Sequence, residues 1–87
     1  MRRYILDGSK MTTLDGAYAE IASKLSFPDY FGRNLDALEE CLQDLVKRVG
    51  SIELVVSDGQ VLTTLTEWPA IELVLRDNSK VTLELAA

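Results

Sequence analysis

The segment from Leu35 to Val49 constrains the fold more than any other part of the chain, because it divides into two sides at 100° per residue. Asn34 precedes it as a natural N-cap, and Gly50 follows it. The apolar stripe comprises Leu35, Leu38, Leu42, Leu45, Val46 and Val49. The opposite side carries Asp36, Glu40 and Asp44. The sequence therefore predicts a helix that covers a core with one side and presents carboxylates to solvent with the other.

An aromatic loop lies directly before this helix, with Phe27, Tyr30 and Phe31 set among Pro28 and Gly32. Carboxylates four residues apart on a helix repel each other by a few tenths of a kcal/mol, and the positive end of the helix dipole offsets part of that cost. Acidic residues beside exposed aromatic rings suit a cationic partner. The competing interpretation is an ordinary solvated helix face with no partner.

Composition excludes several functions. The chain has 87 residues, 47% of them apolar, which predicts one folded domain over residues 1–87. A net charge of −5 argues against nucleic acid or an anionic membrane as a direct partner. After Met1-Arg2-Arg3 the apolar run is too short for a signal peptide, and no segment is long enough to span a membrane. We therefore expect a cytoplasmic protein.

The chain contains no histidine and one cysteine, Cys41. This removes the commonest general base and metal ligand, so we expect no enzymatic activity, no metal and no cofactor. A carboxylate-based hydrolase or metal enzyme would need a cleft, whereas the acidic residues are expected on a convex helix face. Cys41 is expected to be a half-buried packing thiol whose pKa is raised by the nearby carboxylates of Glu39 and Glu40.

The remaining elements follow from shorter patterns. Strands are predicted at Arg3–Leu6, Ile52–Val56 and Val81–Leu85, the last with Val81, Leu83 and Leu85 facing inward and one sheet face partly wet. A helix begins after Thr12 or Thr13 and ends by Pro28. Gly16 weakens its first turn by about 1 kcal/mol relative to Ala. Its buried stripe is expected to contain Leu14, Ala17, Tyr18, Ile21 and Leu25.

The run F-P-D-Y-F-G-R-N-L-D-A-L from Phe27 to Leu38, followed by Cys41-Leu42, resembles the signature of the barstar family. Members of that family are intracellular protein inhibitors of secreted bacterial ribonucleases. The dense match covers about twenty residues, and a looser one extends over residues 1–56. The resemblance implies an α/β fold, in which a small three-stranded parallel sheet packs with helices.

Residues 57–80 admit two topologies. Asp58-Gly59 is a hairpin signal, and Ile71–Arg76 followed by Val81–Leu85 is typical of paired antiparallel strands. That pattern predicts an α+β fold with a C-terminal antiparallel hairpin. The resemblance implies instead a short helix over Val61–Thr66, a helix over Pro69–Asp77 and a third parallel strand, and we favour it. Pro69 suits a first helical position. The apolar side of that helix would contain Ala70, Ile71, Leu73 and Val74.

The resemblance also implies a function, which is inhibition of a basic, extracellular-type ribonuclease or related toxin. Acidic helix residues would mimic RNA phosphate in the active site of the nuclease. The implied partner-binding residues are Tyr30, Gly32, Asn34, Leu35, Asp36, Glu40 and Asp77. Glu40 would be the central mimic, Asp36 its neighbour one turn back, Tyr30 an aromatic anchor and Asp77 an outlying acidic contact.

Each of these residues also has a structural interpretation, which for Gly32 (turn) and Asn34 (helix cap) we consider the larger role. The chain departs from the family pattern at two positions. Glu40 stands where the family usually has Asp, and Glu39 replaces an aromatic residue. These departures indicate a different target nuclease, or an acidic immunity or protein-binding module whose partner is not a ribonuclease.

Overall fold

The computed structural model describes all 87 residues, in which strands alternate with helical segments. The strands are β1 (Arg2–Asp7), β2 (Ile52–Ser57) and β3 (Val81–Leu85); the helices are α1 (Leu14–Leu25), α2 (Leu35–Val49) and α3 (Trp68–Asp77). Two 3₁₀ helices, Gly8–Lys10 and Gly59–Thr64, follow β1 and β2. Asn34 caps α2 as predicted, accepting a hydrogen bond from the Ala37 amide at 2.8 Å. Of the two threonines that could cap α1, Thr13 does so, accepting from the Gly16 amide at 3.0 Å.

The three strands form one parallel sheet in the order β1-β2-β3, with Tyr4, Leu54 and Leu83 in register. Parallel neighbours need long crossover connections. Helices α1 and α2 lie in the first crossover and α3 lies in the second. The fold is therefore the α/β arrangement that the family resemblance implied.

The alternative C-terminal antiparallel hairpin is wrong, because residues 68–77 are helical and β3 pairs in parallel with β2. Trp68, Ile71 and Leu75 are buried together, and their spacing is helical. Asp58-Gly59 does not form a hairpin either. A Cβ atom at Gly59 would lie 2.9 Å from Leu85 Cβ, so this glycine lets the end of β3 pass close by.

The core contains 20 buried apolar residues contributed by one face of the sheet and by all three helices. The other face of the sheet is largely open, with Ile5, Thr82 and Glu84 exposed and an ion pair between Arg3 and Glu53 at 3.4 Å. This confirms a sheet with one wet face. Val55 alone is buried on the open face, because it lies in the central strand between Ile5 and Glu84.

Five apolar residues that the sequence placed on inward stripes are exposed instead, namely Leu14, Leu35, Ala70, Leu73 and Leu85. Leu73 is 69% exposed because Ile71 and Leu75 occupy the inward side of α3. Leu14 lies in the first turn of α1, where the helix begins outside the core, and Leu85 lies at the end of the edge strand β3. These positions are at the ends or the outer faces of their elements, where periodicity does not determine burial.

Candidate partner-binding surface

The loop between α1 and α2 separates its aromatic side chains into two groups. Phe27 and Phe31 pack edge to face at 5.2 Å, and Phe31 also meets Tyr18 at 5.9 Å. The Phe31 amide donates to the Pro28 carbonyl at 2.9 Å, which closes a tight turn. Tyr30 projects from this turn and is 86% exposed. Only Tyr30 is therefore free to contact a partner with its whole ring.

The second half of the loop is tied both to α1 and to the start of α2. Arg33 has a φ of 50°, in the left-handed region, and its guanidinium forms an ion pair with Asp15 of α1. Asn34 Nδ2 donates to the Gly32 carbonyl at 3.3 Å, while Asn34 Oδ1 caps α2. A Cβ atom at Gly32 would lie 3.2 Å from that amide nitrogen. Gly32 and Asn34 thus shape the junction, which is the structural role expected of them.

Helix α2 presents four exposed carboxylates, those of Asp36, Glu39, Glu40 and Asp44. The four ion pairs of the chain are Arg3–Glu53, Lys24–Glu20, Arg33–Asp15 and Arg76–Glu72, so none of them neutralises α2. Glu39 alone accepts an intramolecular hydrogen bond, a long one of 3.4 Å from Gln43. The acidic side of the helix therefore retains nearly all of its capacity to accept hydrogen bonds from another molecule.

Glu40 does not lie on a simple convex face, as the sequence led us to expect. The aromatic loop folds back across α2 and encloses a groove of about 450 Å³ with it. The groove is bordered by Phe27, Tyr30, Phe31, Glu40, Asp44 and Arg48, among others. Asp44 and Arg48 were not among the predicted site residues, although their spacing of four and eight residues from Glu40 places them in the same helix row.

Cys41 lines the same groove and is half-buried, as predicted. Burial raises the pKa of the Cys41 thiol, and the negative charges of Asp44 and Glu40 raise it further. The sequence had pointed to Glu39 and Glu40 as the responsible carboxylates, whereas Asp44 takes the place of Glu39. A raised pKa leaves little thiolate at neutral pH, which disfavours a nucleophilic role for this thiol.

Asp77 lies apart from the aromatic groove, at the end of α3. It borders a second groove of about 280 Å³ between α2 and α3, opposite Glu39 and beside Leu73. Glu39 also borders a shallow depression with Asp36 and Glu40. Glu39, which the sequence analysis did not include among the partner-binding residues, therefore connects Asp77 with the main acidic row.

Leu35 is intermediate between its two predicted roles. It is 37% exposed and borders a groove of about 530 Å³ at the N-terminal ends of the three helices, with Tyr18, Asp36 and Ile71. Part of its side chain supports the core and part is available for contact. Among the seven predicted residues, six from Tyr30 to Glu40 therefore form one continuous surface and Asp77 flanks it.

This fold and this acidic helix define a class of protein. The family model for barstar, described as the barnase inhibitor, matches residues 1–84. The chain belongs to the barstar family. Its sequence is also similar to a protein of Bacillus subtilis (strain 168) named "Putative ribonuclease inhibitor YrdF", with 48% identity over 42 residues. The matched stretch is 48% of this chain and 46% of that protein, so it spans about half the length of the curated relative.

Two further findings concern the chain as a whole. None of its helices combines the length and the apolar character that crossing a membrane requires. No three of its cysteine, aspartate and glutamate side chains converge in a way that could hold a metal ion.

Proposed function

We propose that this protein inhibits a bacterial ribonuclease by placing carboxylates of α2 where the nuclease would hold RNA phosphate. The observation that carries the proposal is the row of four exposed, unneutralised carboxylates on a capped helix beside Tyr30. Family membership supports ribonuclease inhibition in general.

The chemistry of the partner explains why carboxylates serve this purpose. A ribonuclease must stabilise a phosphodiester as it accumulates negative charge, so cationic side chains surround its active site. Arginine binds carboxylate and phosphate in the same forked geometry. A carboxylate on a helix whose opposite side is packed into the core is already held in position. Binding therefore requires little further ordering, which favours affinity. Glu40 fills this role because it lies in the middle of the row and at the rim of the aromatic groove.

The surrounding residues have distinct roles in this proposal. Tyr30 contributes a large exposed ring, and Gly32, Asn34 and Leu35 contribute close backbone approach and contact area. Asp36 adds a second carboxylate one turn before Glu40. Asp77 extends the acidic surface through Glu39 and contacts a basic group at the periphery of the interface.

The partner that fits this surface is a basic, extracellular-type ribonuclease or a related toxin. A net charge of −5 steers such a protein towards the inhibitor and accelerates encounter. The inhibitor acts in the cytoplasm as an immunity protein or antitoxin. It is inert by itself, uses no cofactor, and touches neither nucleic acid nor membrane directly.

The test combines inhibition with a matched pair of variants. Purified protein should suppress a basic ribonuclease at close to one-to-one stoichiometry and should not cleave RNA. Glu40→Ala should weaken binding by about 3 kcal/mol or more, which is at least roughly a hundredfold in Kd, because the cationic pocket of the nuclease is left buried and unpaired. Glu84→Ala removes an exposed carboxylate from the open sheet face and serves as the control for net charge.

Thermal melts must accompany the titrations. Glu40→Ala relieves repulsion from Asp36 and Asp44 and introduces a better helix former, so its melting temperature should be unchanged or slightly higher. Retained affinity in Glu40→Ala would show that the acidic row is only a solvated face. RNA cleavage by clean wild-type protein would refute the inhibitor assignment altogether.

A second candidate is an acidic immunity or protein-binding module whose partner is not a ribonuclease. The observation that favours it is the pair Glu39–Glu40. Glu39 replaces the usual aromatic residue with a charged one, and Glu40 replaces the usual Asp with a longer carboxylate. An extra methylene moves a carboxylate by more than the roughly 0.5 Å that a preorganised site tolerates. Failure to inhibit any of a panel of basic ribonucleases, together with capture of a basic non-nuclease toxin, would favour this candidate.

A further inference from the structure

The two outer strands of the sheet leave half of their backbone groups without a strand partner. In a parallel ladder, the N–H and C=O groups of alternate residues point to opposite sides. The Ala86 amide donates to the Val56 carbonyl at 2.8 Å, so the residue two before it, Glu84, also faces β2, and Leu83 faces outward. In β1 the Leu6 carbonyl faces Ser57 of β2, which leaves Ile5 and Asp7 facing outward.

Helix α1 occupies the outward groups of β1. Glu20, only 6% exposed, accepts a hydrogen bond from the Asp7 amide at 2.8 Å. Lys24, one turn further along α1, pairs with Glu20 at 2.8 Å and donates to the Ile5 carbonyl at 3.4 Å. Nothing in the sequence indicates this role, because acidic residues are common in helices.

Helix α3 occupies the outer side of β3 with the same arrangement. Arg76 Nη1 donates to the outward carbonyl of Leu83 at 3.3 Å. Glu72, one turn earlier, holds the guanidinium through its Nε and Nη2 atoms, each at 3.0 Å. At each edge, therefore, a glutamate four residues before a basic residue orients that basic side chain onto an outward strand carbonyl.

We propose that these two pairs, Glu20–Lys24 and Glu72–Arg76, close the sheet edges against strand addition by a second copy of this chain. Unpaired edge groups are a template for pairing with another chain. The apolar side chains of Ile5 and Leu85 are exposed on the same edge strands, so an opened edge would offer both backbone hydrogen bonds and apolar contact. Stabilisation alone does not account for the Glu72–Arg76 pair, because both side chains are partly exposed and such ion pairs contribute little to stability and do not need to reach a strand.

The test removes the donors and keeps the aliphatic stems, with Lys24→Met and Arg76→Met made singly and together. Sedimentation velocity over a wide range of concentration measures self-association under conditions in which thermal melts show every variant folded. Lys47→Met is the charge-matched control, since Lys47 is exposed and forms no ion pair. Ile71→Val, a buried truncation that leaves both ion pairs intact, controls for reduced stability.

The double variant should self-associate at least about tenfold more strongly than either control. Amide exchange should slow in β1 and β3 as it associates, and Arg76→Lys should restore most of the wild-type behaviour. If Lys24→Met fails to fold because Glu20 is left buried, Arg76→Met decides the matter, since Glu72 is more exposed. Three results would overturn the proposal. The double variant could sediment like Lys47→Met, it could associate no more strongly than Ile71→Val, or it could associate without slower amide exchange in β1 and β3.

Discussion

For the substitution Gly16→Ala, the sequence alone predicts a gain in protein stability, whereas the structure predicts a loss. Gly16 lies in the first turn of α1, where alanine would ordinarily stabilise a helix by about 1 kcal/mol. In the folded protein a Cβ atom at this position would lie 2.5 Å from the Lys10 carbonyl oxygen and 3.0 Å from Thr13 Oγ1. The Lys10 carbonyl belongs to the first 3₁₀ helix and cannot rotate away as a side chain could. We therefore expect Gly16→Ala to destabilise the protein.

The magnitude follows from two opposing effects. Inserting a methyl group into occupied space costs about 1–3 kcal/mol. Moving the helix start also weakens the bond from the Gly16 amide to Thr13, and a complete loss of an N-cap costs about 1 kcal/mol. Subtracting the gain in helix propensity leaves a net loss of about 1–3 kcal/mol. For a domain of this size, each kcal/mol corresponds to about 4–8 °C in melting temperature.

Urea and thermal unfolding of Gly16→Ala measure this loss directly. Ser23→Ala, at an exposed position later in α1, is the control in which propensity acts without a clash, and it should gain a few tenths of a kcal/mol. A gain of about 1 kcal/mol in the unfolding free energy of Gly16→Ala would refute the reasoning. It would mean that the first 3₁₀ helix can move away from the added methyl group without losing stability.

Three further predictions concern charge. Burial alone would raise the pKa of Glu20, but hydrogen bonds from Lys24 and the Asp7 amide outweigh it and hold the pKa below its ordinary 4.5. The stabilisation that this carboxylate supplies is therefore present above pH 4.5 and is lost as the pH falls through the lower pKa of the folded state. When the free energy of unfolding is measured against pH, Glu20→Gln should lose less stability in acid than the wild type does. Cys41 should react with iodoacetamide more slowly than a free thiol at neutral pH, with a midpoint above pH 9.0, and a midpoint below that value would contradict its assigned environment. The association rate with a basic ribonuclease should fall as the salt concentration rises, while the dissociation rate changes less. An association rate that is independent of salt in stopped-flow experiments would contradict electrostatic steering.

The sequence by itself determined α2, including its N-cap and its two sides. Every signal for this helix is local: the spacing of Leu38, Leu42 and Leu45, the cap at Asn34 and the stop at Gly50 all lie within the element or beside it. The nearly continuous apolar run of β2 likewise suits the central position that this strand takes in the sheet. Local signals are reliable where one interpretation satisfies all of them.

The resemblance, rather than the pattern, gave the topology of residues 57–80. Ile71–Arg76 can be read with strand alternation or helical spacing, and the choice depends on where Trp68, Ile71 and Leu75 find apolar partners. Those partners come from distant parts of the chain. The prediction of Leu73 as an inward residue failed for the same reason, because the inward side of α3 is set by its neighbours.

Only the tertiary structure decided what surrounds the predicted site and the sheet edges. The sequence could place Glu40 on the outer side of a helix, but the groove beside it exists because the aromatic loop folds back over α2. Its apolar pattern alone could not distinguish Tyr30, which projects, from Phe31, which packs on Tyr18, and only the resemblance singled out Tyr30. It gave no indication that Glu20 meets an amide thirteen residues away. Periodicity describes which side of an element a residue is on, whereas the partner that it meets depends on how the elements are assembled.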